Sequence, residues 1–483
     1  MKWPRRRFLQ SAGSVALLAT AGCELPQALG VVGPAKAARG PLTAPDGDEV
    51  DEIAHVLGRL SHGPRPGDYH RVREMGVDAY IEEQLHPESI DDAWGDYRVR
   101  RFESLRQPVG ELFEYQEHLL LKELSEATVV RAVYSERQLY EVMAGFWTDH
   151  FNIDSSKGDC PWLKTADDRE VIRRHALGRF SDLLRASALS PAMLWYLDGR
   201  SNRRSSPDEQ PNENYARELL ELHTLGVHGG YTQADIMELA RCLTGWHVRT
   251  EELFKKGKVE FKPDAHDQGE KAVLGEVIPA GLGEADLDRV LAIVTRHPAT
   301  ANYVAEKLCR KFIADTPPPA AVRAVADTFQ TTEGGIRATL KTLFAHEEFR
   351  AARGAKMKRP LHYLASALRV SDADSSVGEP VMEYLLRMGH APFQYPTPDG
   401  YPDEAGPWMG TLLWRWHFAK ALDENRLGGT QVNWAALREA AGGDEVFMRH
   451  VLGRRPRPDE ARSYLACNNS PAVLLASPAF QRY

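Results

Sequence analysis

The segment from Asn212 to Gly226 carries the densest set of chemically active side chains in the sequence. On a helical wheel, Arg217, Glu218 and Glu221 share one face, whereas His223 lies on the opposite, apolar face. A metal site that used both faces would need a second element to wrap around this helix. The pattern is also typical of a solvated face, with Arg217 as partner of the carboxylates, and of a core histidine.

Two further histidines lie in segments where chemistry is conceivable. His150 stands in Phe-Trp-Thr-Asp-His-Phe (146–151), where aromatic packing would hold it as a metal ligand or a base. His266 stands in the polar segment 264–271, which is rich in titratable groups. Each has an ordinary alternative: His150 as a core imidazole, and His266 as part of an exposed polar turn.

The elements that must position these residues are mostly helical, because apolar residues recur three or four apart. Helices are predicted over 51–60, 69–84, 109–144, 167–188, 213–225, 233–244, 287–313, 320–346 and 360–370. The predicted fold class is all-α, with one large helical domain. The segments 258–262 and 272–278 predict a small β-hairpin or an extended insertion. Two long polar connections, 198–212 and 391–407, have the length of functional loops.

Several classes of function lose their main support. The sequence contains no Gly-rich phosphate loop, H-E-x-x-H, G-x-S-x-G, C-x-x-C-H or dinucleotide fingerprint. A net charge of -8, with no basic stripe beyond the first residues, argues against a nucleic-acid partner. The widely separated cysteines exclude a local metal knuckle and favour buried free thiols on helices, although disulfides stay open.

The first residues are typical of an export signal. Arg5 and Arg6 precede a small and apolar run at 11–22, which predicts a twin-arginine signal peptide over residues 1–22. Cys23 follows small residues, as in a lipoprotein signal, whereas Ala35-Lys36-Ala37 offers ordinary cleavage instead. Residues 23–50 are predicted to be a flexible tether, and residues 51–483 the helical domain. The expected location is the periplasm or, through lipidated Cys23, the membrane surface.

Motifs along the whole chain resemble the bacterial family known as domain of unknown function 1800 (DUF1800). They are His55–Arg59, Glu82–Pro87, Phe146–Phe151, Tyr196–Asp198, Asn212–Gly226, Gly230–Thr232, Ala240–Trp246, Lys358–Pro360 and Asp399–Pro402. The resemblance implies a family signature with exported members but no reaction. It also favours a joint site that contains His150, Glu213, Glu218, Glu221 and His223. His390 departs from the glutamine expected at its position.

The leading hypothesis is therefore an exported helical enzyme whose cleft lies between this helix and others, with a possible divalent metal. The candidate catalytic residues are Glu213, Arg217, Glu218 and Glu221. The candidate metal ligands are His150, His223, His266 and Glu218, with Asp198 nearby to orient them.

The rival hypothesis is a cell-envelope scaffold or binding protein. In it, the 212–226 helix forms a buried polar network, and the segment 391–407 lines a peptide or glycan groove. Convergence of His150, Glu218 and His223 on one pocket would favour the enzyme. Closure of Arg217 on its carboxylates, without a cavity, would favour the scaffold.

Overall fold

The computed structural model describes residues 41–206, 208–252 and 254–483, which are mostly helical, so the predicted all-α class is confirmed. The helices of the N-terminal half are α1 (Glu52–Leu60), α2 (Asp68–Met75), α3 (Val77–Leu85), α4 (Ala93–Val99), α5 (Val109–Leu112), α6 (Glu117–Tyr134), α7 (Gln138–His150), α8 (Cys160–Asp167), α9 (Phe180–Ala188), α10 (Pro191–Tyr196), α11 (Asn214–Glu218) and α12 (Gln233–Cys242).

The helices of the C-terminal half are α13 (Ala285–Arg296), α14 (Pro298–Phe312), α15 (Pro319–Thr331), α16 (Ile336–Ala345), α17 (Glu347–Ala351), α18 (Pro360–Val370), α19 (Glu379–Arg387), α20 (Leu412–Asp423), α21 (Trp434–Ala441), α22 (Asp444–Leu452), α23 (Pro458–Ala466) and α24 (Pro471–Leu475). Many are short, and several long predicted helices are divided. The predicted helix 287–313, for example, is split between α13 and α14, because Pro298 has no N–H to continue α13 and takes the first position of α14 instead.

Two apolar clusters form the interior. The first is built by α1–α3 and by α7–α17, and the second by α6, α18–α24 and the segments between them. Helices α7 and α14 of the first cluster and α18 of the second converge on the loop 391–407. Ligand sites are frequent where two packed units meet.

Three small antiparallel sheets interrupt the helices. Strand β1 (Trp246–Val248) pairs with β2 (Val259–Phe261), β3 (Lys271–Val273) with β4 (Glu276–Ile278), and β5 (Asp374–Ser375) with β6 (Thr430–Gln431). The extended insertion predicted near 258–278 is present. It belongs to two hairpins: its first segment, β2, pairs with the preceding strand β1, and its second segment forms the β3–β4 hairpin.

The predicted signal peptide, residues 1–22, and Cys23 lie outside the described residues. The end of the predicted tether is not a free linker, since Leu42 is buried in the second cluster. Arg449 Nη2 donates to the carbonyl of Ala44 at 3.1 Å, and the Arg455 N–H donates to that of Gly47 at 2.7 Å. Among the described helices, none has the length and apolar character needed to cross a membrane.

Candidate functional site

A cavity of about 220 Å³, here called the α7–α14 cavity, lies beside the C-terminal end of α7. Helix α7 contributes Phe146, Asp149 and His150; α14 contributes Tyr303, Lys307 and Arg310; and the loop 391–407 contributes Asp399 to Glu404. Lys307 follows Tyr303 by four positions and Arg310 follows Lys307 by three, which places these α14 side chains on one helix face. Among the charged and imidazole groups of this cavity, only His150 is a site residue predicted from the sequence.

A buried ion-pair network forms the wall shared with the neighbouring elements. Arg359 Nη1, at the start of α18, lies 2.7 Å from Asp149 Oδ2 and 3.7 Å from Asp403 Oδ1. Lys311 Nζ lies 3.5 Å from the same Asp403 oxygen, and Lys356 Nζ donates to the Asp403 carbonyl at 2.8 Å. Burial raises the pKa of Asp149, whereas Lys311 and Arg359 overcome burial and hold the pKa of Asp403 well below its usual value.

Lys307 is the exception to this pairing. Within the described residues its ammonium has no hydrogen bond and no salt bridge, and its Nζ lies 5.6 Å from the centre of the Tyr303 ring. Burial lowers the pKa of Lys307, although Asp403 and Asp149 partly oppose that effect. Both of these carboxylates are already committed to Arg359 or Lys311, so the α7–α14 cavity contains a half-buried cation that forms no ion pair with any described residue.

Asp399 and Tyr303 also present unused polar groups. Asp399 is exposed at the rim, and its carboxylate makes no hydrogen bond or salt bridge with any residue that the structure describes. The Tyr303 hydroxyl likewise has no hydrogen-bond partner there, and burial raises its pKa to about 12. The cavity therefore offers a cation, an anion and a phenol, all of them available to a ligand.

His150 is almost fully buried at the inner wall, in contact with aromatic rings. Its Nε2 donates to the backbone carbonyl of His223 at 3.1 Å, which fixes the tautomer and leaves Nδ1 as a bare acceptor. No described residue pairs with that Nδ1. Burial, followed by Lys307, lowers the pKa of His150 far below its ordinary value, so the imidazole is neutral.

The segment 212–226 lies behind His150. Its α-helical turn α11 passes into a π-helical turn over Leu219–His223, a distortion that is frequent near functional sites. Gly226 then takes φ +82°, and a Cβ there would lie only 2.7 Å from Cδ2 of Tyr303. The absence of a side chain at Gly226 lets this turn pack against a residue of the cavity.

The structure brings His150 and His223 together, with 6.2 Å between ring centroids, as the joint-site hypothesis expects. His223 is fully buried, and neither of its ring nitrogens has a partner among the described residues. Burial lowers its pKa to about 3. It does not line the α7–α14 cavity, so it contacts the site through its carbonyl and its ring packing.

On the polar face of the same segment, Arg217 pairs with two carboxylates and also bonds to Gln233. Arg217 lies 2.7 Å from Glu213 and 3.4 Å from Glu221, and the pKa of Glu213 is lowered mainly by its bond to Arg217. Burial and Glu221 raise the pKa of the half-buried Glu218, which lines neither of the cavities described here. The pairing of Arg217 with Glu213 and Glu221 is the arrangement that the scaffold hypothesis expects, but Glu218 makes no hydrogen bond or salt bridge with any described residue.

His266 lies in a different cluster, so the structure does not place it beside His150. Its Nε2 lies 3.0 Å from Asp286, its Nδ1 lies 2.9 Å from the Thr244 carbonyl, and the Thr244 hydroxyl is 3.1 Å from Nδ1. The order Thr-His-Asp resembles a nucleophile relay, but the Thr244 hydroxyl already donates to the backbone carbonyl of Arg241 at 2.6 Å. The fully buried His266 and Asp286 side chains therefore pack the loop 264–271 onto α13.

The four candidate metal ligands do not form one group. Across residues 41–483, apart from 207 and 253, no three His, Cys, Asp or Glu side chains are arranged to hold a metal ion. Asp198, expected to orient such ligands, pairs instead with Lys157 at 3.2 Å. The predicted free thiols are present, but Cys467 is exposed rather than buried.

A second cavity of about 80 Å³, here called the histidine cavity, lies on the other side of Asp149. Its lining includes His62, His362 and His390, and Asp149 and Tyr401 line both cavities. Burial lowers the pKa of all three imidazoles, to about 3 for His62. Its volume admits only about two or three water molecules.

Gly400 allows the loop 391–407 to reach the end of α7. Its φ is +75°, and a Cβ would lie 2.1 Å from the carbonyl oxygen of Asp149. Asn152 Nδ2 donates to the carbonyls of Tyr395 and Thr397 at 2.9 and 2.7 Å, which fastens the loop to the segment after α7. The loop is therefore a packed wall of the two cavities.

The fold and the site together define a helical protein with two apolar cores and an enclosed polar cavity where they meet. Within that class, the chain belongs to the family described as protein of unknown function (DUF1800), whose model matches residues 55–482. The resemblance found in the motifs is thereby confirmed. No curated protein and no solved structure matches the chain.

Proposed function

We propose that this protein is an exported enzyme that carries out acid–base chemistry on a small polar molecule in the α7–α14 cavity. One observation carries the proposal: Lys307, Asp399 and Tyr303 face one space with polar groups that have no partner among the described residues. A half-buried charge without a partner, such as Lys307, has lost part of its hydration without compensation, and such groups concentrate at functional sites. Arg217, Glu213 and Glu221 lack this feature, because they pair with one another.

Each of the three side chains has a distinct task in this proposal. The Lys307 ammonium stabilises negative charge on the substrate, because a half-buried cation acts more strongly there than in water. Asp399, at the solvent rim, accepts a proton from the substrate and releases it to water. The Tyr303 hydroxyl donates a hydrogen bond to the reacting group. His150, held by the His223 carbonyl, fixes the inner wall.

The test is untargeted, since the substrate is unidentified. The purified protein is incubated with a bacterial metabolite extract, and mass spectrometry records which compounds are consumed and formed. Lys307→Met and Asp399→Asn are each expected to slow the conversion by about tenfold or more. The matched controls are Lys341→Met and Asp264→Asn, at exposed positions outside the α7–α14 cavity.

Two outcomes would refute the enzyme. One is the absence of any conversion by the unaltered protein; the other is conversion at an unchanged rate by both cavity variants. Circular dichroism of each variant separates loss of activity from loss of fold. A scaffold would give the first outcome.

Export and anchoring form the second part of the proposal, supported by the order of charge and apolar residues at the start of the sequence. Replacing Arg5 and Arg6 with lysine is expected to retain the protein in the cytoplasm. Cys23→Ala is expected to leave export intact and release the protein from the membrane fraction. Unchanged membrane partitioning of Cys23→Ala would exclude the lipid anchor.

A further inference from the structure

The half-buried side chain of Lys307 restricts what the α7–α14 cavity can bind. The carboxylates near it, Asp149 and Asp403, already lie in ion pairs with Arg359 and Lys311. A neutral ligand would displace water and leave the Lys307 charge uncompensated. An anionic ligand would supply the missing counter-ion, and a cationic ligand would add like-charge repulsion.

The opposite end of the cavity carries the opposite charge. Asp399 is exposed at the rim, whereas Lys307 is half-buried, so the two unpaired charges lie at different depths. The aromatic side chains of Phe146 and Tyr303 line the space with them. The volume of about 220 Å³ lies below the roughly 300 Å³ at which drug-sized pockets begin, so the ligand is small.

We propose that the α7–α14 cavity binds a small organic carboxylate, whose carboxylate pairs with Lys307 and whose apolar part packs against Phe146 and Tyr303. An amino group at the other end of the ligand pairs with Asp399. This inference names the substrate class of the proposed enzyme and therefore rests on that function. It assigns Lys307 as the residue that selects for a carboxylate.

Binding is coupled to a proton. Burial without a counter-ion lowers the pKa of Lys307, and a bound carboxylate raises it again. The protein therefore takes up protons when a carboxylate enters, in the pH range where the free lysine is partly neutral. Lys307→Arg keeps a charge that does not titrate, so this variant binds the carboxylate without proton uptake.

The experiment uses isothermal titration calorimetry with four probes on one skeleton: 3-phenylpropionate, 3-phenylpropanol, 3-phenylpropylamine and 3-amino-3-phenylpropionate. The two carboxylates are expected to bind at least about tenfold more tightly than the alcohol and the amine. The zwitterion, 3-amino-3-phenylpropionate, is expected to bind more tightly than 3-phenylpropionate to the unaltered protein. It is expected to lose this difference in affinity in Asp399→Asn. Repeating the titration from pH 7 to 9.5, in buffers of different ionisation enthalpy, reports the proton uptake.

The variants separate the role of Lys307 from general loss of structure. Lys307→Met is expected to lose carboxylate binding by about tenfold or more, whereas Lys307→Arg and the exposed control Lys341→Met retain it. Equal affinity for the carboxylate and the alcohol, or unchanged binding by Lys307→Met, would overturn the inference. Absence of carboxylate binding to the unaltered protein would also overturn it.

The two proposals fail in different ways. Metabolite conversion that depends on Lys307, without binding of any carboxylate probe, would support the proposed enzyme and refute carboxylates as its substrate class. Carboxylate binding that depends on Lys307, without conversion of any metabolite, would refute the proposed enzyme and support a carboxylate-binding protein.

Discussion

Lys358 offers a quantitative check on the electrostatics of the interior. Its side chain is buried, its Nζ donates to Ser366 Oγ at 2.9 Å and lies 3.7 Å from the centre of the Phe480 ring. No carboxylate that the structure describes lies within salt-bridge distance of it. Burial lowers the pKa of Lys358 from 10.5 to about 7.

This shift destabilises the folded protein at neutral pH. Between pH 7 and 10.5 the unfolded chain binds the Lys358 proton more tightly than the folded chain does, so the free energy of unfolding rises with pH. A shift of this size costs about 4 kcal/mol at pH 7, of which about 2 kcal/mol is regained by pH 9. Lys358→Met carries no such charge and lacks this pH dependence.

The perturbation is therefore Lys358→Met, measured by urea unfolding at several values between pH 6.5 and 9.5. The free energy of unfolding of the variant relative to the unaltered protein is expected to fall by about 2 kcal/mol between pH 7 and 9. Lys341→Met, at an exposed position, is the control and should show no such change. A difference between variant and unaltered protein that stays constant with pH would refute the argument.

Three further predictions concern the site and its surroundings. Gly400→Ala is expected to lower the free energy of unfolding by about 2 kcal/mol or more in urea titrations, because its Cβ overlaps the Asp149 carbonyl; Gly406→Ala, with open space around it, should be nearly neutral. Arg217→Met removes two partly exposed ion pairs, so it is expected to cost about 1 kcal/mol or less and to leave metabolite conversion unchanged; loss of conversion at full stability would restore the candidate catalytic role of that cluster. Treatment with a chelator is expected to change neither the melting temperature nor the conversion rate, and stoichiometric metal in elemental analysis would contradict the absence of a metal-holding group in the described residues.

Periodicity predicted the fold class because helical packing leaves a local mark on the sequence. Residues 360–370 show this most directly, since predicted and observed helices coincide in α18. The division of 109–144 into α5, α6 and α7 was missed, because apolar spacing continues across the breaks. The pairing of β2 with β1 was missed for a different reason: partner choice between short strands depends on tertiary contacts.

The candidate site was only partly predictable. The wheel of the segment 212–226 correctly separated a buried face from a polar one, and it placed His223 in the interior. Nothing local distinguished Lys307, because a lysine in an amphipathic helix ordinarily marks the solvent face. The loop 391–407 and the end of α7, both more than 80 residues away in sequence, form the other walls of the cavity around it.

The placement of the 212–226 segment behind His150 explains how a dense polar motif can matter to a site without lining it. The π-helical turn ends at His223, whose carbonyl belongs to the last turn of a helix and so has no helical partner of its own. His150 Nε2 donates a hydrogen bond to that carbonyl, which sets the orientation of the imidazole at the inner wall of the α7–α14 cavity. Gly226, a few residues later, packs against Tyr303 on the opposite helix. The segment therefore fixes residues from both α7 and α14, through the His223 carbonyl and through Gly226.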